Sequence, residues 1–249
     1  MEIIPNDSSL FRSAIDGLKE FLPQIQLRVS NAGIHINGMD VSHVGFVEYY
    51  LAKEDCAVLK VPTSTVIGVN TALLAKTLSS VSAGDRVTLG VKEDKLVVSY
   101  KNEKMSKKAV YEISTLDITE DSLNLPDLTY SATITCKTAD VHSMLKEVSH
   151  FGDSVKLKLD EDGFHMSADG DGGNVHQSLE NTDDREMILD NDTVEAEFGT
   201  KYLLTILKSG SPLSSVIKLE FDATQPLRAS FLFGKSSRFV SYLAPKMQD

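Results

Sequence analysis

The chain has 249 residues, 41% hydrophobic and 24% charged, enough apolar material for one large domain or two of ordinary size. Its formal charge of −11 argues against a surface coated all over by nucleic acid, but allows one locally basic face. No apolar run approaches the roughly 20 residues of a membrane-spanning helix, and the first ten residues lack the basic and apolar regions of a secretory signal. Two isolated cysteines, Cys56 and Cys136, point to a reduced compartment.

In chain order, Asp7-Ser8-Ser9 offers an N-cap to a helix whose apolar side is Phe11, Ala14, Ile15 and Leu18, spaced by three and four. Ile25 to Asp40, IQLRVSNAGIHINGMD, alternates with period two on either side of a turn at Gly33, and predicts a strand pair. A second helix is predicted within Asn70 to Ser82, carrying Leu74, Leu78 and Val81. Alternating strands follow at Arg86 to Val91, Lys95 to Tyr100 and Lys107 to Ile113. Leu116 to Thr129 then reads as an extended connector with Pro126 and four acids, Asp117, Glu120, Asp121 and Asp127. Its leucines 123, 125 and 128 are too apolar for a plain solvated linker and suggest a strap over a surface.

After the connector the pattern returns at an offset of 130 residues. Thr138-Ala139-Asp140 offers a cap, and Val141, Met144, Leu145 and Val148 repeat the helical stripe. Val155 to Gly170, VKLKLDEDGFHMSADG, repeats the strand pair with Gly163 at the turn and His165 where the first copy has His35. With a drift of one residue, Thr200 to Ser209 supplies the second helix through Leu203, Ile206 and Leu207. Strands at Ser215 to Phe221, Leu227 to Phe233 and Ser236 to Leu243 close the copy. The fold predicted is α+β: two topologically similar domains, 1–115 and 130–249, each an antiparallel sheet with helices on one face, joined by 116–129.

The sides of the four helices opposite the apolar stripes are small or basic. With Lys137 they hold Arg12, Lys19, Lys76, Lys146, Lys201 and Lys208 against Asp16, Glu20, Asp140 and Glu147. Seven cations against four anions is a balance of +3, which leaves −14 for everything else. That partition fits a shared face meeting a polyanion through phosphate contacts that read no sequence. No recognition helix, RNA-binding aromatic platform or zinc finger is present.

Catalysis finds little support. Asp160-Glu161-Asp162-Gly163 has its Gly too early for a calcium loop, and Asp169 to Gly173 reads as a strand connection. Ser149, His150 and Asp153 are neighbours in sequence, whereas a catalytic triad needs convergence in space. The six histidines lack metal-ligand spacing, and no nucleotide-binding fingerprint appears, so no enzyme, cofactor or metal is expected.

Five segments resemble a known family. Met39-Asp40-Val41-Ser42-His43-Val44, Gly68-Val69-Asn70, Ser149-His150-Phe151-Gly152-Asp153, Ser211-Pro212-Leu213-Ser214-Ser215 and Tyr242-Leu243-Ala244-Pro245-Lys246 are similar, in order, to motifs of eukaryotic-type DNA sliding clamps, the proliferating-cell-nuclear-antigen family. The resemblance implies a non-enzymatic processivity factor for DNA replication and repair: a head-to-tail homotrimeric ring around duplex DNA, with helices inward and sheets outward. Monomeric or dimeric processivity factors and heteromeric checkpoint rings use similar two-domain units and stand as the alternative.

By position, the resemblance places Arg12, Lys19, Lys76, Lys146, His150, Lys201, Lys208 and Lys246 toward DNA. Ser13 and Ser79 replace lysines of the family pattern, so the lining is less basic. Edge strands Lys107 to Ile113 and Asn174 to Asn181 would pair between subunits, with Ser80, Tyr111, Ile113, Val148, Phe151, Asn174 and Val175 at the interface. Partners such as DNA polymerase, clamp loader, flap nuclease and ligase would insert a short motif of one aliphatic and two aromatic residues. The matching pocket is Met39, His43, Val44, Phe46, Leu123, Leu125, Pro126, Tyr130, Pro226, Tyr242, Ala244 and Pro245, with Met247 beside it. A nuclear location is implied, or a viral replication site or the cytoplasm for a viral or archaeal copy; no membrane is involved. Glu161 stands where the family carries a modifiable lysine, so ubiquitin-type switching is not expected there.

Overall fold

The computed structural model describes residues 1–82, 84–102, 106–118 and 128–246. The chain forms two compact units. The first is Met1–Val41, Val47–Leu123 and Leu232–Phe239; the second is Ser42–Phe46, Asn124–Phe231 and Val240–Asp249. In chain order the elements are β1 (Glu2–Pro5), α1 (Ser8–Leu18), β2 (Gln24–Ser30), β3 (Gly33–Met39), β4 (Gly45–Ala52), β5 (Cys56–Lys60), β6 (Thr65–Asn70), α2 (Thr71–Leu78), β7 (Arg86–Lys92), β8 (Lys95–Asn102) and β9 (Lys107–Ser114). Then come β10 (Ala132–Lys137), α3 (Thr138–Val148), β11 (Ser154–Asp160), β12 (Gly163–Gly170), β13 (Gly173–Glu180), β14 (Glu186–Leu189) and β15 (Thr193–Gly199). The last are α4 (Thr200–Gly210), β16 (Val216–Phe221), β17 (Leu227–Phe233) and β18 (Ser237–Leu243).

The first unit holds the strand orders β5-β1-β7-β8-β9 and β4-β3-β2-β6. The second holds most of β14-β10-β16-β17-β18, with Leu232 and Phe233 of β17 and Ser237 to Phe239 of β18 counted in the first, together with β13-β12-β11-β15. Neighbours pair antiparallel, as in Leu89 opposite Val98 and Leu157 opposite Met166. The α+β class read from the pattern is the fold observed. β1 escaped that reading, because four residues are too few to show a period; it holds its place by pairing with β5 on one side and β7 on the other.

Each unit rests a helix pair on its sheets, α1 beside α2 and α3 beside α4. Phe11, Ile15 and Leu18 of α1 join Leu74 and Leu78 of α2 over Ile25, Leu27 and Val87, all at most 2% exposed. In the second unit Val141, Leu145 and Val148 join Ile206 and Leu207 over Val155, Leu157 and Ile217 in the same way. Burying each such side chain contributes about 1.5–3 kcal/mol.

Helix starts follow the sequence in one unit and depart from it in the other. Asp7 Oδ1 accepts from the backbone N–H groups of Ser9 and Leu10 at 2.8 and 3.0 Å, and Asn70 accepts from Leu73 at 2.8 Å. The expected cap at Thr138 to Asp140 lies inside α3 instead. The boundary residue is Lys137, whose side chain caps nothing, while the Thr138 hydroxyl donates to the Ser214 carbonyl at 3.0 Å. A tertiary partner has taken the hydroxyl that a local cap would use.

The start of the connector packs on the first unit: the Leu116 N–H donates to the Gly68 carbonyl at 2.8 Å, and Gln26 Nε2 to the Ile118 carbonyl at 2.7 Å.

Candidate nucleic-acid and partner interfaces

In each unit the apolar faces of the helices are consumed by the sheets, so basic residues on the opposite faces are left toward solvent. Lys76 on α2, Lys146 on α3, and Lys201 and Lys208 on α4 are exposed, as is His150 in the turn after α3. Lys19, at the end of α1, is exposed and lies 3.4 Å from Asp16, its helical neighbour. Arg12 differs. It is half-buried, and its Nη1 donates to the Val81 carbonyl at 2.6 Å, which ties the guanidinium to the turn after α2. Lys246 lies outside the helices altogether; its backbone N–H donates to the Glu197 carbonyl on β15 at 2.8 Å. Lys137 is exposed but held 3.1 Å from Asp184. The Ser79 hydroxyl folds back onto the Lys76 carbonyl at 2.8 Å and presents no charge.

The expected interface residues fall into groups. Ser80 and Tyr111 flank Tyr100 in the first unit, where the Tyr100 and Tyr111 rings stack at 6.2 Å. Tyr111 lies on β9, which among the described residues pairs with β8 alone and exposes Val110 to 55%. In the second unit β13 pairs, among the described residues, with β12 alone, and Asn174 and Val175 lie at its start. Phe151, 37% exposed, sets its ring 3.9 Å from where a Cβ on Gly173 would stand, so it shares that end of β13. Ile113 and Val148 are interior residues, 3% and 0% exposed. Their side chains present no surface to a neighbour, because each completes the core under its own sheet; any part they play is through the backbone or through the residues they support.

Among the expected pocket residues, the second unit brings a set together. The Ala244 N–H donates to the Val44 carbonyl at 3.0 Å, so 44–46 runs alongside the chain end. The Phe46 and Tyr242 rings meet at 5.9 Å. His43 is exposed and adopts φ +57°, and Ser42 shares a hydrogen bond with the Tyr202 hydroxyl. Pro226 and Pro245 are half-buried, Ala244 exposed. Tyr130 is half-buried, with the Arg228 guanidinium 5.0 Å above its ring. Burial pushes the Tyr130 phenol well above its usual range. Met39 ends β3 in the first unit. Leu123, Leu125, Pro126 and Met247 lie outside the described residues.

Sequence reading missed Arg228 and Glu220. Both Nε and Nη2 of Arg228 donate to the Glu220 carboxylate, and Lys218 Nζ adds a contact at 2.9 Å. Burial alone would raise Glu220's pKa, but the hydrogen bonds and charges of Arg228 and Lys218 outweigh it and hold the group low. The available signal was a buried-strand pattern, Ile217, Leu219 and Phe221, with charges between; only the β16–β17 register, Glu220 opposite Arg228, joins them.

Two family models cover these elements from end to end. Residues 1–123 match the N-terminal domain of proliferating cell nuclear antigen, and residues 124–247 match its C-terminal domain. This chain belongs to the proliferating cell nuclear antigen family. The proliferating cell nuclear antigen of Chaetomium thermophilum is 27% identical over 250 residues, which cover 97% of this chain and 96% of that protein. Proliferating cell nuclear antigens are non-catalytic DNA sliding clamps, processivity factors of DNA replication, and this chain is a DNA sliding clamp of that family. DNA, replication proteins and further copies of itself are its general classes of partner. Among the described residues no cluster of three metal-binding side chains occurs, and no helix is long and apolar enough to cross a membrane.

Proposed function

We propose that this clamp closes as a head-to-tail homotrimer around duplex DNA and tethers replication and repair proteins through a motif pocket beneath its connector. The observation that carries the reading is the repeated arrangement of the helix pairs. In both units the apolar faces are spent on the sheets, and Lys76, Lys146, Lys201 and Lys208 are left outward in a chain of net charge −11. Phosphates met by a few lysines, with no groove-reading element, give sequence-independent, salt-sensitive contact, which suits a ring that slides.

The open edges support closure. Among the described residues β9 and β13 each have one unpaired side, and an unpaired strand side is a template for another chain. Pairing β9 of one copy with β13 of the next is a heterologous contact, and such contacts close into a ring when the rotation fits. Tyr111 on β9 and Phe151 beside β13 are aromatic surfaces available to that seam. Phe46, Tyr242, Tyr130, Pro226 and Pro245 supply the apolar and aromatic wall for a motif of one aliphatic and two aromatic side chains. Nuclear replication sites are the proposed location.

Light scattering tests the assembly, and retention on nicked circular DNA tests its topology. Three chains of 27.3 kDa give about 82 kDa, and the ring stays on circular DNA but runs off once the DNA is cut. A stable 27.3 kDa species, or equal retention on linear DNA, overturns the closed ring.

A further inference from the structure

We infer that Arg228 is the positioning residue of the partner surface: clamped by Glu220, its guanidinium holds the ring of Tyr130, and a partner's aromatic motif binds against the ring so held. The inference rests on the reading of Tyr130 as a pocket residue.

Three strands set the arrangement. Thr133 on β10 faces Glu220 on β16, and Glu220 faces Arg228 on β17, so the acid and the guanidinium meet directly across the sheet. Two donors of Arg228 bind one carboxylate, a fork that fixes the plane of the guanidinium as well as its distance. Glu220 is only 5% exposed, and Lys218 Nζ, 2.9 Å away, engages one of its oxygens as well. The guanidinium carbon then lies 5.0 Å from the Tyr130 ring centre, within the range of a cation–π contact.

The ring's tip has no such anchor. The Tyr130 hydroxyl is buried without a hydrogen-bond partner among the described residues. Leaving such a group unsatisfied is unfavourable, so a ring free to turn would carry it elsewhere. The first unit supplies the contrast. There Arg238 lies 4.9 Å over Tyr50, and Glu48 accepts from its Nε at 2.8 Å and lies 2.7 Å from its Nη2. But the Tyr50 hydroxyl also donates to the Ala32 carbonyl at 2.8 Å. Tyr50 is pinned at face and tip, Tyr130 at the face only, so its orientation depends on the cation. Tyr130 shares the second unit with Phe46 and Tyr242, whose rings meet at 5.9 Å, and the Tyr242 phenol lies near enough for its charge to act on both Tyr130 and Arg228.

The test is a double-mutant cycle on the full-length protein, read by fluorescence anisotropy with a labelled peptide carrying one aliphatic and two aromatic residues on a helical turn. Arg228→Met, which keeps apolar bulk over the ring but no charge, weakens binding about tenfold. Arg228→Lys recovers part of the loss. In a Tyr130→Leu background, Arg228→Met has no further effect. Additive losses there, or parental affinity for Arg228→Met alone, overturn the inference. Should Arg228→Met lose the parent's cooperative melt, Glu220→Gln carries the same cycle by loosening the fork: a loss that vanishes with Tyr130→Leu supports the inference, and an additive one overturns it. Tyr242→Ala and Pro245→Asp separate the two levels. If both bind peptide normally, the pocket reading falls and this one with it; if both lose binding while Arg228 variants do not, only the positioning role falls.

Discussion

Gly33 and Gly163 hold the same turn, 130 residues apart, at φ +142° and +140°. A side chain at either would overlap a backbone carbonyl, that of Leu51 in the first unit and that of Leu179 in the second. The duplication thus reaches to the way the next strand of the sheet runs beside a hairpin turn.

Replacing either glycine with Ala is therefore expected to destabilise its unit by about 2 kcal/mol or more, from the backbone conformation plus the overlap. Gly172→Ala, with nothing within 4 Å and no positive φ, should leave the thermal midpoint within about a degree of the parent. Equal midpoints for Gly33→Ala and Gly172→Ala would remove the argument.

The exposed helix lysines predict a change in salt dependence as well as in strength. Lys76, Lys201 and Lys208, all replaced with Ala, should shorten retention on circular DNA and flatten its dependence on salt. The slope of log affinity against log salt falls by about 0.9 for each phosphate that a lysine no longer neutralises. Retention that is unchanged across several salt concentrations would place the DNA elsewhere on the clamp.

The open edge at β9 predicts how the assembly fails. Val110→Lys sets a charge on an exposed position of that edge, and Tyr111→Ala removes the ring stacked on Tyr100. Each is expected to shift the scattering mass from about 82 kDa toward 27.3 kDa, with the monomer still folded by circular dichroism. A trimer that survives both changes is not sealed through β9.

The two thiols should be poor nucleophiles. Burial, and then the negative charges of Asp55 and Glu54, push Cys56 up to about 11; burial and Asp140 do the same to Cys136. At neutral pH the thiolate fraction then lies about a hundredfold below that of a thiol titrating near 9. Iodoacetamide labelling, followed by mass spectrometry, should be slow at pH 7.5 and keep rising toward pH 11, where an ordinary thiol would already have levelled off. Half-buried Cys56 should react before Cys136, which is 2% exposed. Rapid labelling of the folded protein at neutral pH would overturn this reading of the two thiols.

Much of the candidate site was written locally. The stripe from Phe11 to Leu18, the alternation from Val155 to Leu159 and the turn glycines each declare themselves within a dozen residues, so two copies of one α+β unit could be read from the chain. The excess of lysine over acid on the helices was equally plain. The fate of each cation was not. Arg12 reads as one more basic helix residue, yet Val81, 69 positions away, captures its guanidinium.

The sequence by itself determined the duplication, the α+β class and the sign of the helix faces, because hydrophobic period, turn chemistry and composition act over short stretches of chain. Tertiary structure alone decided which groups meet. It brought Asp55 to accept from the backbone N–H groups of Lys235, Ser236 and Ser237 and from the Ser237 hydroxyl, as many as 182 positions away. It set Glu220 opposite Arg228, and among the described residues it left β9 and β13 with an open side each. Those outcomes depend on strand register and order, and a register is fixed only when whole faces, rather than single residues, find their buried partners.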